Sequence, residues 1–217
     1  MMEIYLIRHG ETNWNLNRKV QGRSDIPLND YGIELAYKTK AGLEGDGVCF
    51  DAAYCSPLIR AVKTAQILLE GTGIEPVKDK RLEELDFGDF EGFSIEKAQT
   101  EPEYADFAKV FDEPASYVPR NGESFEELYE RSRSFIKEVL LPLEGKRKCV
   151  LIAAHGALIR GIMNVIGDIP ISDFWQSVQR NCAVNKMTLE NGKFNIVYEG
   201  RIFYEEEHIY KNPADKD

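Results

Sequence analysis

A chain of 217 residues with 27 Lys and Arg against 37 Asp and Glu has a formal net charge of −10. That balance argues against nucleic acid and anionic membrane as partners, since both are bound through basic surface. A hydrophobic fraction of 43% beside 29% charged residues suits a sizeable core under a solvated surface, in one domain or one domain with an inserted cap.

No apolar run reaches the roughly 20 residues that span a bilayer. The start, Met1 to Ile7, has neither a basic region nor a small-residue cleavage site, so it reads as a first strand and the expected location is cytoplasmic. Cys49, Cys55, Cys149 and Cys182 show neither CxxC nor metal-ligand spacing and read as reduced thiols.

In chain order, residues 3–7 form a short strand that stops at Arg8-His9-Gly10. Residues 50–55 are a second strand candidate. Ser56 then offers an N-cap and Pro57 a first helical position for a helix over 58–69, stopped by Gly71 and Gly73. Residues 94–112 and 123–140 have the pattern of two amphipathic helices, with Pro114, Pro119 and Gly122 between them. The run 149–154 is the clearest buried strand; it ends in His155-Gly156 and leads into a helix near 157–166. A short helix is expected after Pro170. Residues 182–190 and 193–200 read as a hairpin turning at Asn191-Gly192, and 205–217 as a polar tail. Strands alternating with helices predict an α/β/α sandwich of three layers with a mostly parallel central sheet and a small helical cap at 86–120, all in one domain over 1–217. The last hairpin is expected to add an antiparallel edge strand.

Ligands of such sheets bind beyond the carboxyl ends of the strands. Two of the three histidines, His9 and His155, follow strands in the same His-Gly step, while His208 lies in the tail. Arg8 adds a fixed cation, and Gly10 allows a sharp turn with room for a ligand beside the main chain. Arg60 in the first turn of its helix sits badly with the dipole unless an anion is near, and its fork suits a phosphoryl group. The segment from Arg8 to Arg23 carries four cations against Glu11, whereas residues 81–130 carry four basic and fifteen acidic side chains.

Leu6-Ile7-Arg8-His9-Gly10-Glu11-Thr12-Asn13-Trp14-Asn15 resembles the signature of the histidine phosphatase superfamily, also called phosphoglycerate-mutase-like. The resemblance continues, in the family's order, through Gln21-Gly22 with Asp25, Pro27, Leu28 and Gly32. It then takes in Ser56 to Ala61 with Thr64-Ala65, Leu82 to Gly88 with Glu91-Gly92, Gly122-Glu123-Ser124 and Ala154-His155-Gly156. It implies a histidine acid-phosphatase-type enzyme in which His9 attacks phosphorus to form a phosphohistidine. Arg8, Arg60 and His155 would hold the non-bridging oxygens, Asn15 would donate to the same group, Gln21 and Gly22 would border it, and Gly156 would keep the approach to His155 open. Glu84 matches the general acid/base, and its acidic neighbours Glu83 and Asp86 would favour its protonated form.

No metal or other cofactor is implied, and the expected partner is a small phosphomonoester. The sequence does not specify an oligomeric state. A mutase would need more cations around the leaving group than Lys97, Lys109 and Arg120, and residues 86–120 are rich in Phe87, Phe90, Phe93, Tyr104, Phe107, Phe111 and Tyr117 instead. Phosphatase is therefore the expectation. Cofactor-dependent phosphoglycerate mutase is its alternative, and α-ribazole phosphate stands among the open substrates with sugar phosphates, phosphoglycerate and nucleotides. A catalytically retired module is disfavoured because the full reacting set is present. A two-histidine metallohydrolase is disfavoured because two arginines would repel a dication.

Overall fold

In a computed structural model of the chain, residues 1–101, 104–177 and 179–205 are described; most of the expected tail, 206–217 with His208, lies outside them. In chain order the elements are β1 (Met2–Arg8), α1 (Asn13–Leu16), α2 (Asp30–Gly45), β2 (Ala52–Cys55), α3 (Ile59–Leu68) and β3 (Val77–Lys78). There follow α4 (Ile95–Thr100), α5 (Ala105–Asp112), α6 (Phe125–Phe135), α7 (Leu141–Leu143), β4 (Cys149–Ala154), α8 (Gly156–Ile166), β5 (Val184–Glu190) and β6 (Lys193–Arg201).

The strands form one sheet in the order β3-β2-β4-β1-β5-β6. β3, β2, β4 and β1 run parallel, β5 runs antiparallel to β1, and β6 runs antiparallel to β5. The hairpin thus adds two strands, and the antiparallel one is β5, inside the edge; β6 at the edge runs with β1. Its turn at Asn191-Gly192 has positive φ at both residues, 52° and 72°, the conformation that favours this dipeptide. β3, only two residues long, was not anticipated.

Alternation along the strands sends side chains to opposite faces. Ile4 and Leu6 of β1 with Val150 and Ile152 of β4 pack against Leu128 and Phe135 of α6 and Leu158 of α8. Tyr5, Ile7 and Leu151 face the other way, toward Leu43 of α2 and Leu68 of α3. Both faces are covered, which makes the expected three layers. All six residues of β4 are buried, as befits a central parallel strand.

Three local expectations are corrected. Helix α3 begins after Leu58, which gives no side-chain cap; the Asp25 carboxylate, from a distant loop, accepts the Ile59 N–H at 2.7 Å, and Ser56-Pro57 stay outside the helix. The stretch 94–112 is two short helices, with a break around Glu101. Finally, α6 does not run as one α-helix to 140: a π-helical stretch, Ile136–Leu140, carries it into α7, whose Pro142 cannot donate a helical hydrogen bond. At the start of α6 the Ser124–Glu127 capping box is complete.

Candidate active site

The register of the central strands builds the site. Arg8 of β1 pairs with Ala154 of β4, so His9 and His155 leave neighbouring parallel strands side by side. Their ring centroids are 5.1 Å apart, and the His9 N–H donates to Ala154 O at 2.9 Å. Ser56, leaving β2, donates its N–H to Ala153 O at 3.0 Å, and the chain from there leads into α3 and Arg60. The carboxyl edge of the sheet therefore gathers Arg8, His9, Arg60 and His155.

A cleft at this edge is lined by Arg8, His9, Asn15, Arg60 and Glu84, together with Lys19, Gln21 and Gly22. Val20, Phe87, Ile95, Phe107 and Phe111 form an apolar wall. The Arg60 side chain is fully buried, and its guanidinium donates to Gly22 O at 2.6 Å and Ser24 O at 2.7 Å. These carbonyls offset its unfavourable place in the first turn of α3. Arg8 donates one Nη1–H to Gln179 O. The Nε of Arg8, the Nε of Arg60 and both ring nitrogens of His155 are buried without a hydrogen-bond partner among the described residues. Each such group costs roughly 1–3 kcal/mol if nothing pairs with it. Three of them can donate at once, since a neutral His155 carries one N–H, and such a set of donors suits an anion rich in acceptors.

His9 is oriented by a bond from its Nδ1–H to Gly10 O at 2.7 Å. Burial, reinforced by Arg60 and Arg8, holds its pKa well below the ordinary imidazole value. Burial, then Arg60, His9, Arg131 and Arg8, does the same for His155. Both rings are neutral at neutral pH. Burial also lowers the Arg60 pKa, to about 10, which leaves that guanidinium charged. Burial raises the thiols of Cys55, Cys149 and Cys182 to about 11, 12 and 12, which makes all three poor nucleophiles.

Glu84 lines the cleft, and its carboxylate accepts N–H groups from Leu85 at 3.0 Å, Leu158 at 3.1 Å and Ala157 at 3.3 Å. It thus sits at the N-terminus of α8, one residue beyond His155. Its acidic neighbours turn elsewhere: Glu83 and Asp86 lie 3.5 and 3.4 Å from Arg23. Arg23 thus offsets the charge of both neighbours of Glu84.

Asn15 closes the capping box of α1, its Oδ1 accepting the Thr12 N–H at 3.1 Å, so the NH₂ group is what it can offer a ligand. Gln21 accepts from the Thr12 hydroxyl at 2.9 Å. Two glycine expectations are corrected. The space beside Gly10 is filled by protein, since a Cβ there would lie 2.3 Å from Gly32 O. A Cβ on Gly156 would meet Arg8 Nε at an ordinary 3.7 Å, so an open approach to His155 does not require glycine. Of the aromatic residues at 87–117, Phe87, Phe107 and Phe111 line the cleft, Phe90 and Tyr117 are core, and Phe93 packs on Tyr104 with centroids 4.9 Å apart.

Several polar supports were not anticipated. Asn181 donates to His9 O at 3.1 Å and to Asn15 Oδ1 at 3.4 Å. The Gln179 amide exchanges two bonds with Asn185, which also donates to Leu6 O at 3.1 Å. Lys19 is a further cation in the cleft lining. Among the described residues no group of three or more His, Cys, Asp or Glu is placed to hold a metal ion, and no helix is long and apolar enough to cross a membrane.

Known proteins resemble this chain in sequence and in fold. A 2,3-bisphosphoglycerate-dependent phosphoglycerate mutase of Azorhizobium caulinodans is 33% identical over 171 residues, which cover 75% of this chain and 80% of that protein. The structure of YhfR from Bacillus stearothermophilus superposes with a TM-score of 0.85 at 31% identity, covering 93% of this chain and 98% of that one. The α-ribazole phosphatase of Shigella flexneri gives 0.81 at 25% identity, with 92% and 96% covered. The family profile matching residues 4–200 is that of the histidine phosphatase superfamily, branch 1, and this chain belongs to that superfamily.

Proposed function

We propose that the chain hydrolyses phosphomonoesters without a metal, through a phosphohistidine on His9. The observation that carries the proposal is the set of groups at this sheet edge: Arg8, Arg60 and His155 have unpaired buried nitrogens, and His9, which shares a cleft with both arginines and lies 5.1 Å from the His155 ring, keeps Nε2 free. The phosphoryl oxygens would take up the N–H groups of Arg8, Arg60, His155 and Asn15, whose charge and dipoles offset the negative charge in the transition state. His9 Nε2 attacks phosphorus as the ester P–O bond breaks, and Glu84 passes its proton to the leaving oxygen. Water then attacks the phosphohistidine, Glu84 takes back a proton, and orthophosphate leaves with His9 restored. The guanidiniums do the charge work that a dication would otherwise do, and they would repel one. Nothing in the proposal needs a partner macromolecule, and the cytoplasm is the expected compartment.

Hydrolysis rather than mutation is supported by the apolar part of the cleft lining. Val20, Phe87, Ile95, Phe107 and Phe111 form it, with Lys19 as the cation beyond Arg8 and Arg60. Of the cations in residues 86–120, Arg120 is held by Asp106 at 2.5 Å and Lys109 lies 3.9 Å from the same residue. This wall suits a leaving group with apolar or aromatic surface, a class that includes α-ribazole phosphate. A cofactor-dependent phosphoglycerate mutase is the second reading, favoured by the relative of that name.

The test is a panel of phosphomonoesters in EDTA, with 3-phosphoglycerate assayed with and without 2,3-bisphosphoglycerate, beside His9→Ala. Hydrolysis that survives the chelator and is lost in the variant supports the proposal. Phosphoglycerate isomerisation outpacing all hydrolysis would make the enzyme a mutase. Activity lost in EDTA and restored by zinc or manganese would overturn the metal-free mechanism.

A further inference from the structure

The Gly122-Glu123-Ser124 motif has no partner in the chemistry above, and its place in the fold points to one. Ser124 caps α6, while Glu123, buried, accepts from Arg131 Nε at 2.6 Å and Nη2 at 2.8 Å. Arg131, one turn and a half along α6, reaches from there to the loop that carries Glu84. Its Nη1 donates to Arg81 O at 2.7 Å and Glu83 O at 2.6 Å, and its Nη2 donates to Glu84 O at 3.1 Å. A guanidinium has five N–H donors, and these five contacts use them all.

The peptide carbonyls on both sides of the Glu84 Cα are thus tied to one rigid, planar group. The carboxylate-bearing residue has little freedom to rotate about its backbone. The pairing of Glu123 with Asp86, through a Glu123 N–H to Asp86 O bond of 2.8 Å, braces the same loop two residues further on. Close packing makes the brace tight: a Cβ at Gly122 would lie 2.4 Å from Asp86 O.

We propose that Arg131, held by Glu123, is the positioning residue for Glu84, fixing the loop so that the carboxyl group meets the leaving oxygen. The proposal rests on Glu84 being the proton donor of the hydrolysis described above. A point charge could not replace the fork, because lysine has three donors at one atom. Proton delivery by a positioned acid contributes on the order of 10²–10⁴ in rate. A loosened Glu84 loop therefore affects only substrates whose leaving group needs the proton.

The test compares Arg131→Lys and Arg131→Met with Glu84→Gln on two esters. One is an alkyl phosphate, whose alcohol must be protonated as it departs; the other is p-nitrophenyl phosphate, whose phenolate departs unaided. The ratio of the two kcat/KM values is the readout, because it does not depend on how much of a preparation is folded and reports the steps through transfer to His9. Positioning predicts that the alkyl ester loses about tenfold or more relative to the nitrophenyl ester in both Arg131 variants, the same direction as in Glu84→Gln. An unchanged ratio in the Arg131 variants, with the ratio shifted in Glu84→Gln, overturns the role of Arg131. An unchanged ratio in Glu84→Gln as well overturns the assignment of Glu84 itself, and the positioning role falls with it.

Discussion

His9 donates its Nδ1–H to the carbonyl oxygen of Gly10 at 2.7 Å, and a carbonyl can only accept. The proton is therefore fixed on Nδ1, and Nε2 keeps the lone pair that can attack phosphorus. The phosphoenzyme is expected to carry its phosphoryl group on Nε2. Quenching a turnover mixture in base and locating the acid-labile phosphate by mass spectrometry and phosphorus NMR would check this. A phosphoryl group on Nδ1, or on any residue still labelled in His9→Ala, would contradict the assignment.

Both histidines of the site have pKa values held below the ordinary imidazole value of 6.5, chiefly by burial and then by the neighbouring arginines. In the unfolded chain they titrate near that ordinary value. Between the folded and unfolded pKa values the unfolded state binds more protons, so stability rises with pH there. It is fully present above about pH 6.5 and declines as the pH falls below it, by up to about 1.4 kcal/mol per pH unit for each histidine. Urea titrations between pH 5 and 8 should show that decline, and His155→Gln should flatten it by about half. A wild-type stability independent of pH across this window would mean that the rings are not buried in neutral form.

The meeting of His9 and His155 at one sheet edge was legible because both follow apolar strands in the same His-Gly step, whereas the pairing of β1 with β4 that brings them together was not. The roles of Arg60 and Glu84 rested on the order of the motifs, and both residues do line one cleft. Legibility failed where the governing partner is distant in sequence. Ser56-Pro57 has the pattern of a helix start, yet Asp25 supplies the cap. The acidic cluster around Glu84 looked like mutual repulsion, yet Arg23 from another loop takes up Glu83 and Asp86. Gly10 looked like space for a ligand, but the backbone of Gly32 occupies it. Arg131 went unread because three of its five acceptors, the carbonyls of Arg81, Glu83 and Glu84, lie on a loop that only the fold brings to α6.

Gly22 is expected to be intolerant of substitution even by alanine. Its φ is +52°, and a Cβ would lie 1.9 Å from Glu91 Oε1, the carboxylate that accepts the N–H groups of Arg23 and Ser24 at 2.7 and 2.8 Å. Gly22 O and Ser24 O are also the carbonyls that hold Arg60. Gly22→Ala should therefore lower stability by roughly 1–3 kcal/mol and lower kcat/KM along with it, because the guanidinium loses its seat. Glu91→Gln, which keeps the shape and removes only the charge, should be milder on both counts. If Gly22→Ala melts like the wild type and retains full activity, the turn does not hold Arg60.

The apolar wall makes the final prediction. Phe111 lines the cleft, and its ring stands 5.6 Å from Trp175 and 5.8 Å from Phe107, centroid to centroid. Phe107 is nearly fully buried, so truncating it would cost the fold roughly 3–5 kcal/mol and confuse the result. Phe111 is only half-buried and is the better probe. If the wall binds an apolar leaving group, Phe111→Ala removes surface contact worth roughly 1–2 kcal/mol, or about tenfold in KM. The loss should fall on esters with aromatic or long alkyl leaving groups. Hydrolysis of phosphoglycerate, which has no such surface, should keep its KM within about threefold, and kcat should change little for either class if the wall binds ground state and transition state alike. Steady-state kinetics on matched ester pairs would measure this. An equal rise in KM for both classes would mean that the wall shapes the cleft without reading the leaving group. A selective loss on phosphoglycerate would move the mutase reading ahead of hydrolysis.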